Sequence, residues 1–394
     1  MKKGKKSCPH CGNNPTNHKM HYIGQTVSVL MSPFDHFFMN TFLGYALRRS
    51  FNFMCESTLP FLSLLRLASF HQNINLSPCG RGKVIWEEAI KRGICMEGII
   101  VFGKPLDIYR AKYPGGKKMA FVSLPRKETR RIETRIDDKA FLKKKLQAAK
   151  IPVARGAGAV GLREALRLFA SLEKPVIVKP QGGSRGRHTT TSIYTKTDFI
   201  KAWRVAKQLG RFVIVEEHLK GSVYRGTLVG GKLVGALRGD PARVIGDGKK
   251  SISQLIETKN KNRHERVSEI KITPLLESFI ARAGYTTESI LPKGTVIDLS
   301  EKIGIGYGGH SKEMLEEIHP EIRETLERAA TVLNDDILGF DFIIEDPTKD
   351  PDGKKWGIIE CNTVPFIDLH HFPLEGKPQN VAKYVWDLLE RSGI

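Results

Sequence analysis

Apolar and polar positions change rhythm along this chain. Pro175–Lys179 reads PVIVK and Phe212–Glu216 reads FVIVE, two short apolar runs each closed by a charged residue. Runs of that length, bounded by Gly, Pro and polar residues, predict buried strands. Tyr224–Val229 and Lys232–Leu237 flank Gly230-Gly231, the signature of a hairpin. Strands are also expected over Leu338–Glu345 and Lys355–Glu360, and a Thr-rich one ends at Tyr194. Helical spacing marks Val84–Ile94, Leu162–Ser171, about Thr197–Leu209, segments near Ser251, Thr273 and Glu321, and Asn380–Arg391. Asp137-Asp138 can cap a helix that carries Lys139, Phe141, Leu142 and Leu146 and stops before Ile151-Pro152. Strands and helices in this mixture predict an α/β class, with α+β lobes.

The first ~125 residues are less regular. Apolar clusters at Phe34–Leu47 and Ser57–Phe70 suggest short helices of uneven period, and Met96–Gly103 reads as a strand. Tyr113–Arg131, with its Pro-Gly turn and many cations, reads as a linker. The expected division is a basic N-terminal region, 1–125, of unassigned role, and one α/β unit over 126–394. There is no internal repeat.

Composition narrows the class. With 394 residues, 40% hydrophobic and 27% charged, the chain can bury sizeable cores. No apolar run reaches the ~20 residues of a membrane span. The basic start, MKKGKKSCPHCG, lacks a following apolar stretch, so no signal peptide is expected. Six scattered cysteines fit a reducing compartment, and a cytoplasmic location is expected. The net charge of +21 is concentrated early: residues 1–150 hold 27 Lys/Arg against 10 Asp/Glu. A solvated basic surface is the plain expectation, and docking of a polyanion is the alternative.

Three stretches carry chemistry. After PVIVK, Lys179 stands before a loop with Gly182, Gly183, Ser184 and Gly186. Glycines let backbone N–H groups approach phosphate, and a lysine at the strand end adds a point charge. The order fits neither the Walker loop nor the dinucleotide fingerprint. In VIVEEHL, Glu216 and Glu217 end a strand where a carboxylate and backbone groups could read an adenine edge; two solvated acids are the alternative. In GFDFIIEDP and GIIECNTVP, Asp341, Glu360 and Asn362 interrupt apolar strands. Such carboxylates are costly without compensation, and residues two apart on a strand share a face. Hard oxygen donors of this kind suit Mg²⁺.

The joint order of Lys139, Lys179 with its glycine loop, Glu216, Arg225, Asp341 and Glu360-x-Asn362 resembles the ATP-grasp superfamily. In wording and spacing it is nearest the ATP-grasp domain of cyanophycin synthetases, with glutathione synthetase-like ligases next. The resemblance runs over about 130–394 and includes KPVIVKPQGGSRGR, GSVYRGTLVGGKLVGALR, ARVIGDGKKSISQLI, LPKGTVIDL, YGGHSKE and ECNTVPFIDLHHFPLEGK. It implies two lobes clamping ATP and an ATP-dependent carboxylate–amine ligase working through an acyl phosphate. It implies Lys139 and Lys179 on the α- and β-phosphates, and Gly183, Ser184 and Gly186 in the loop above them. Glu216, beside Glu217, would meet the adenine amino group, and the backbone of Leu219 would contact the adenine. Asp341, Glu360 and Asn362 would hold two Mg²⁺. Arg225 would lie near the transferred phosphoryl group, Gly308-Gly309 near the γ-phosphate and substrate carboxylate, and Lys302 near the place of a family arginine. Val223 stands where the family places an acid on the ribose. The synthetases continue into a Mur ligase-like domain, which is not expected in a sequence ending at Ile394. Phosphoryl transfer without ligation, and a non-catalytic ATP-binding module, remain alternatives. The partners implied are a carboxylate and an amine, amino-acid- or peptide-like, and an oligomer is possible.

Two features stand apart. Cys8, Cys11, His18 and His21 offer four zinc-ligating side chains and a zinc site is one reading, but zinc motifs usually separate their pairs by more, so a disordered basic tail is the plain expectation. His370-His371 could touch substrate; a partly exposed loop pair is the alternative.

Overall fold

The computed structural model describes residues 8–11, 16–44, 46, 68–127, 133–182, 186–353 and 355–392. Near the N-terminus, Asn17 caps one 22-residue helix, α1 (His18–Met39), with Pro33 inside it. The short helices expected over Phe34–Leu47 are thus partly the end of a longer one. Those expected over Ser57–Phe70 fall mostly outside the described residues, and their last residues belong to a strand. That strand, β1 (Ala68–His71), joins β2 (Cys95–Val101), β3 (Lys104–Lys112) and β4 (Lys118–Val122) in an antiparallel sheet of order β1-β2-β3-β4, with helix α2 (Gly80–Lys91) between β1 and β2. The expected linker over Tyr113–Arg131 therefore contains a hairpin turn and a strand.

A second sheet follows, preceded by α3 (Lys139–Ala148). Its strands are β5 (Gly156–Ala159), β6 (Val176–Pro180), β7 (Thr190–Ile193) and β8 (Val213–Glu217), with α4 (Leu162–Ser171) and α5 (Lys196–Ala206) between them. The order is β5-β8-β6-β7, all antiparallel. Side chains alternate across a strand. Val176, Val178, Val213 and Val215 pack with Phe169, Phe199 and Trp203 of the helices, so Lys179 and Glu216 are left for the other face.

The third sheet has six strands. They are β9 (Ser222–Val229), β10 (Lys232–Ile245), β11 (Val296–Ile303), β12 (His310–Glu313), β13 (Ile337–Ile344) and β14 (Gly357–Asn362). Their order is β11-β10-β9-β13-β14, with β12 on β10. Helices α6 (Ile252–Lys261) and α7 (Pro274–Ala281) lie between β10 and β11, and α8 (Pro320–Leu333) lies between β12 and β13. Short α9 (Asp368–His371) and α10 (Val381–Glu390) close the chain. Tyr224, Leu228, Phe340 and Phe342 bury one face against Leu326, Leu333 and the α3 residues Leu142 and Leu146.

Residues on either side of position 125 share a core. Ile85, Trp86, Tyr109 and Phe121 pack with Val229, Ile337, Val385 and Trp386, and Trp386 Nε1 donates to Ile85 O at 3.0 Å. Among the described residues, no helix is long and apolar enough to cross a membrane.

Candidate active site

Helix α3 connects the second and third sheets at the site. Asp138 caps it, accepting from Ala140 N and Phe141 N at 2.8 and 2.9 Å, and its other oxygen accepts from Gln181 Nε2 at 2.8 Å, just after β6. Asp137 accepts from Thr363 N and Oγ1 at 2.9 and 2.8 Å, just after β14. Lys139 and Lys143 are four apart and share a helix face. Lys139 Nζ lies 3.4 Å from Glu360 Oε1 on the third sheet, while Lys143 Nζ lies 2.5 Å from Glu216 Oε2 on the second.

Glu216 is buried between two cations. Lys179 donates to its Oε1, and Lys143 donates to its Oε2 and to Ala154 O. Burial pushes the Glu216 carboxyl up, but the ammonium groups of Lys179 and Lys143 outweigh it and hold the carboxyl below its ordinary range. Burial pulls Lys143 down, against Glu216 and with Lys179. Glu216 therefore serves here as counter-ion to Lys179 and Lys143, and both its oxygens are engaged. Glu217 is also held, by Glu173 N at 3.3 Å and Arg155 Nε at 3.5 Å. Leu219 packs with Ala154 and Ile343 between β8 and β9.

On the third sheet the register sets Arg225, Asp341 and Glu360 in one cross-strand row: Asp341 pairs with Arg225 on β9 and with Glu360 on β14. Like charges directly opposite destabilise a sheet. Here a cation flanks each: Arg225 forks onto Asp341 at 2.5 and 2.8 Å, and Lys139 stands by Glu360. A bulge gives Glu360 its direction. The β13–β14 register shifts between Asp341 and Phe342, so Phe342 pairs with Ile358 and Ile359 is the extra residue. Ile358 and Cys361 enter the core, and Glu360 and Asn362 share the face of Asp341.

Asn362 Nδ2 is buried without a hydrogen-bond partner. The Asp341 and Glu360 carboxylates and the side-chain oxygen of Asn362 are hard oxygen donors of the type that Mg²⁺ prefers, whereas the unpaired Nδ2 is a hydrogen-bond donor and ligates no cation. These residues fit the metal that the sequence implied. Gly308 adopts φ +79°, and a Cβ at Gly309 would stand 2.1 Å from Asp240 O, so this glycine pair is fitted tightly to β10. Lys302 Nζ is buried without a hydrogen-bond partner and stands over the Tyr307 ring, 5.2 Å from its centre. Gly186 follows at φ +62°, whereas Gly183 and Ser184 lie outside the described residues.

Comparison with known proteins gives the same frame. No family model matches the chain. Over 271 residues it is 34% identical to "Cyanophycin synthetase" of Trichormus variabilis, covering 65% of this chain and 30% of that protein. Over 265 residues it is 29% identical to "Glutathione biosynthesis bifunctional protein GshAB" of Clostridium perfringens, covering 64% and 34%. The solved bifunctional glutathione synthetase of Pasteurella multocida superposes with a TM-score of 0.55 at 24% identity, over 80% of this chain and 44% of that one. The chain has the ATP-grasp fold that its sequence led us to expect. Its ATP-grasp match spans about 30% of the cyanophycin synthetase relatives.

Two expectations are corrected around this ATP-grasp frame. His370 is not exposed: it is fully buried, with Nδ1 2.6 Å from Glu313 Oε2 and Nε2 2.7 Å from Thr227 Oγ1. His371 Nε2 accepts from Ala382 N at 3.3 Å. Both therefore brace the fold. His21 turns away from Cys8 and Cys11, its Nδ1 3.0 Å from Leu209 O, and His188 stands in its place. Sequence reasoning passed over Lys143, although its spacing from Lys139 was a usable signal. It also passed over Gln181 and Asp138, which fix the start of the glycine loop.

Proposed function

We propose that this chain is an ATP-dependent ligase that joins a carboxylate to an amine. The observation that carries the reading is the opposed pair Asp341 and Glu360, flanked by Arg225 and Lys139 on one sheet face. Mg²⁺ ions held by Asp341, Glu360 and Asn362 would offset phosphate charge and polarise the γ-phosphorus.

The protein's own groups do the positioning. Lys139 and Lys179 meet the α- and β-phosphates, with Lys179 exchanging Glu216 for phosphate oxygen. The backbone at Leu219 meets the adenine, with Glu216 and Glu217 behind it. Arg225 faces the charge that develops on the transferred phosphoryl group, and Gly308-Gly309 let backbone approach it. Lys302 lies on the substrate side. A substrate carboxylate oxygen attacks the γ-phosphorus as the β–γ bridge breaks and ADP leaves. The amine then attacks the acyl carbon, loses a proton and expels phosphate. No protein nucleophile is needed, because catalysis rests on orientation and electrostatics. The substrates are amino-acid- or peptide-like, as the names of the relatives suggest. The free cysteines among the described residues favour a reducing, cytoplasmic setting.

The test is ADP release with Mg²⁺ across amino acids, peptides and acidic polymers, each with and without an amine. Amine-stimulated release together with a condensed product supports ligation. Release that ignores the amine points to phosphoryl transfer, and no release under any condition points to a binding module.

A further inference from the structure

Four metal-ligating side chains converge where the N-terminal segment meets the connection between β6 and β7. Cys8 and Cys11 close a single turn, with Cys11 N donating to Cys8 O at 3.1 Å. His18 opens α1, and His188 follows the glycine-rich connection. Cys11 Sγ lies 3.3 Å from His18 Nε2 and 3.5 Å from His188 Nε2, and Cys8 Sγ lies 3.5 Å from His188 Nε2. All four donor atoms lie within 4.8 Å of one another. With zinc bonds of about 2.3 Å to sulfur and about 2.0–2.1 Å to nitrogen, tetrahedral geometry sets donor atoms roughly 3.3–3.8 Å apart. These three sulfur–nitrogen separations fall in that range.

Hydrogen bonding alone accounts poorly for the cluster. His188 Nδ1 lies 2.8 Å from Val205 O, a carbonyl that can only accept, so Nδ1 carries the proton. In the neutral ring, the Nε2 lone pair is then aimed at both sulfurs. Cys11 faces two imidazole nitrogens with one S–H proton. A cation in the centre satisfies every lone pair at once, and the Val205 carbonyl supplies the outer hydrogen bond typical of a metal-bound histidine. Two sulfurs and two nitrogens in a tetrahedral arrangement select zinc over harder cations.

The neighbouring packing gives the site a purpose. Helix α1 lies on the same connection: a Cβ at Gly182 would fall 1.8 Å from Gln25 Nε2. Gln181, at the near end of the connection, is tied to Asp138. His188 marks its far end.

We propose that Cys8, Cys11, His18 and His188 bind one Zn²⁺ as a closed structural site that fastens the N-terminal segment to the glycine-rich connection after Lys179. Four protein ligands leave no open position, so the ion holds structure and does no chemistry. Binding displaces the two thiol protons.

The test uses the full chain with metal alone as probe. Elemental analysis of protein purified without chelator is expected to give about one zinc per chain. After metal removal under reducing conditions, Co²⁺ is expected to bind at about one per chain with the intense visible bands of a tetrahedral thiolate site. His21→Ala is expected to keep those bands, and Cys11→Ser and His188→Ala to lose them, with circular dichroism checking that each variant is folded. Absence of zinc together with a six-coordinate Co²⁺ spectrum in the unaltered protein would overturn the proposal without reference to any variant. So would bands that survive in a folded His188→Ala and vanish in His21→Ala.

Discussion

Arg225 and Asp341 face each other across the β9–β13 ladder and share two hydrogen bonds, Nε to Oδ1 at 2.5 Å and Nη2 to Oδ2 at 2.8 Å. The fork holds the carboxylate in one orientation, beside Glu360 on the next strand. Lysine would keep the charge and lose the fork. Arg225→Lys is therefore expected to weaken Mg-ATP binding roughly 10–100-fold, the usual effect of removing a group that orients a metal ligand. Calorimetric titration of Mg-ATP checks it, and unchanged affinity would make the pair merely structural.

Glu216 is the counter-ion of two buried lysines. Glu216→Gln leaves Lys143 and Lys179 side by side without it, at an expected cost of about 3–5 kcal/mol in denaturant unfolding. The pH dependence has a definite sign. The folded-state carboxyl titrates below its unfolded value, so its contribution is full above the ordinary carboxylate range. It fades as pH falls through the depressed value. Unfolding free energy measured against pH is expected to lose part of its acid limb in Glu216→Gln.

Asn362 has a buried amide nitrogen that no protein group satisfies. Asn362→Ala is accordingly expected to change stability by less than about 1 kcal/mol, because no made hydrogen bond of that nitrogen is lost. The rise in Tm that Mg-ATP gives the unaltered protein is expected to shrink markedly in the variant. A large loss of stability with a normal Mg-ATP response would assign the amide to the fold.

Gly235 leaves room for His370. A Cβ there would stand 2.5 Å from His370 Nδ1, in a buried network with Glu313 and Thr227. Gly235→Ala is expected to destabilise the fold by about 1–3 kcal/mol through overpacking. Thermal unfolding measures this directly.

That Asp341 and Glu360 stand among apolar strand residues was legible, because a carboxylate there demands compensation, and Asn362, two residues on, shares the face of Glu360. The bulge was not legible: strict alternation would set Ile358 and Glu360 on one face, and only the ladder register shows Ile359 as the extra residue. Lys143 reads in sequence as one more cation of a basic helix, since its partner Glu216 lies on a distant strand. The strand Lys118–Val122 was hidden because its apolar run is only four residues, Met119–Val122, preceded by a Gly pair, Lys117 and Lys118. Helix α1 misled for the opposite reason. Its apolar side chains, among them Met20, Phe34 and Phe37, are exposed, so no buried stripe set a period. His188 could not be joined to Cys8 and Cys11 by local spacing at all.

The central claim is that this site activates a carboxylate as an acyl phosphate, and trapping tests it without knowledge of the amine. Incubate the full chain with Mg-ATP, a panel of amino-acid and peptide carboxylates, and hydroxylamine, and quantify hydroxamate against ADP. At least one carboxylate is expected to give hydroxamate in step with ADP, and Glu360→Gln is expected to abolish both. ADP without hydroxamate across the panel, or undiminished hydroxamate from Glu360→Gln, would contradict the account.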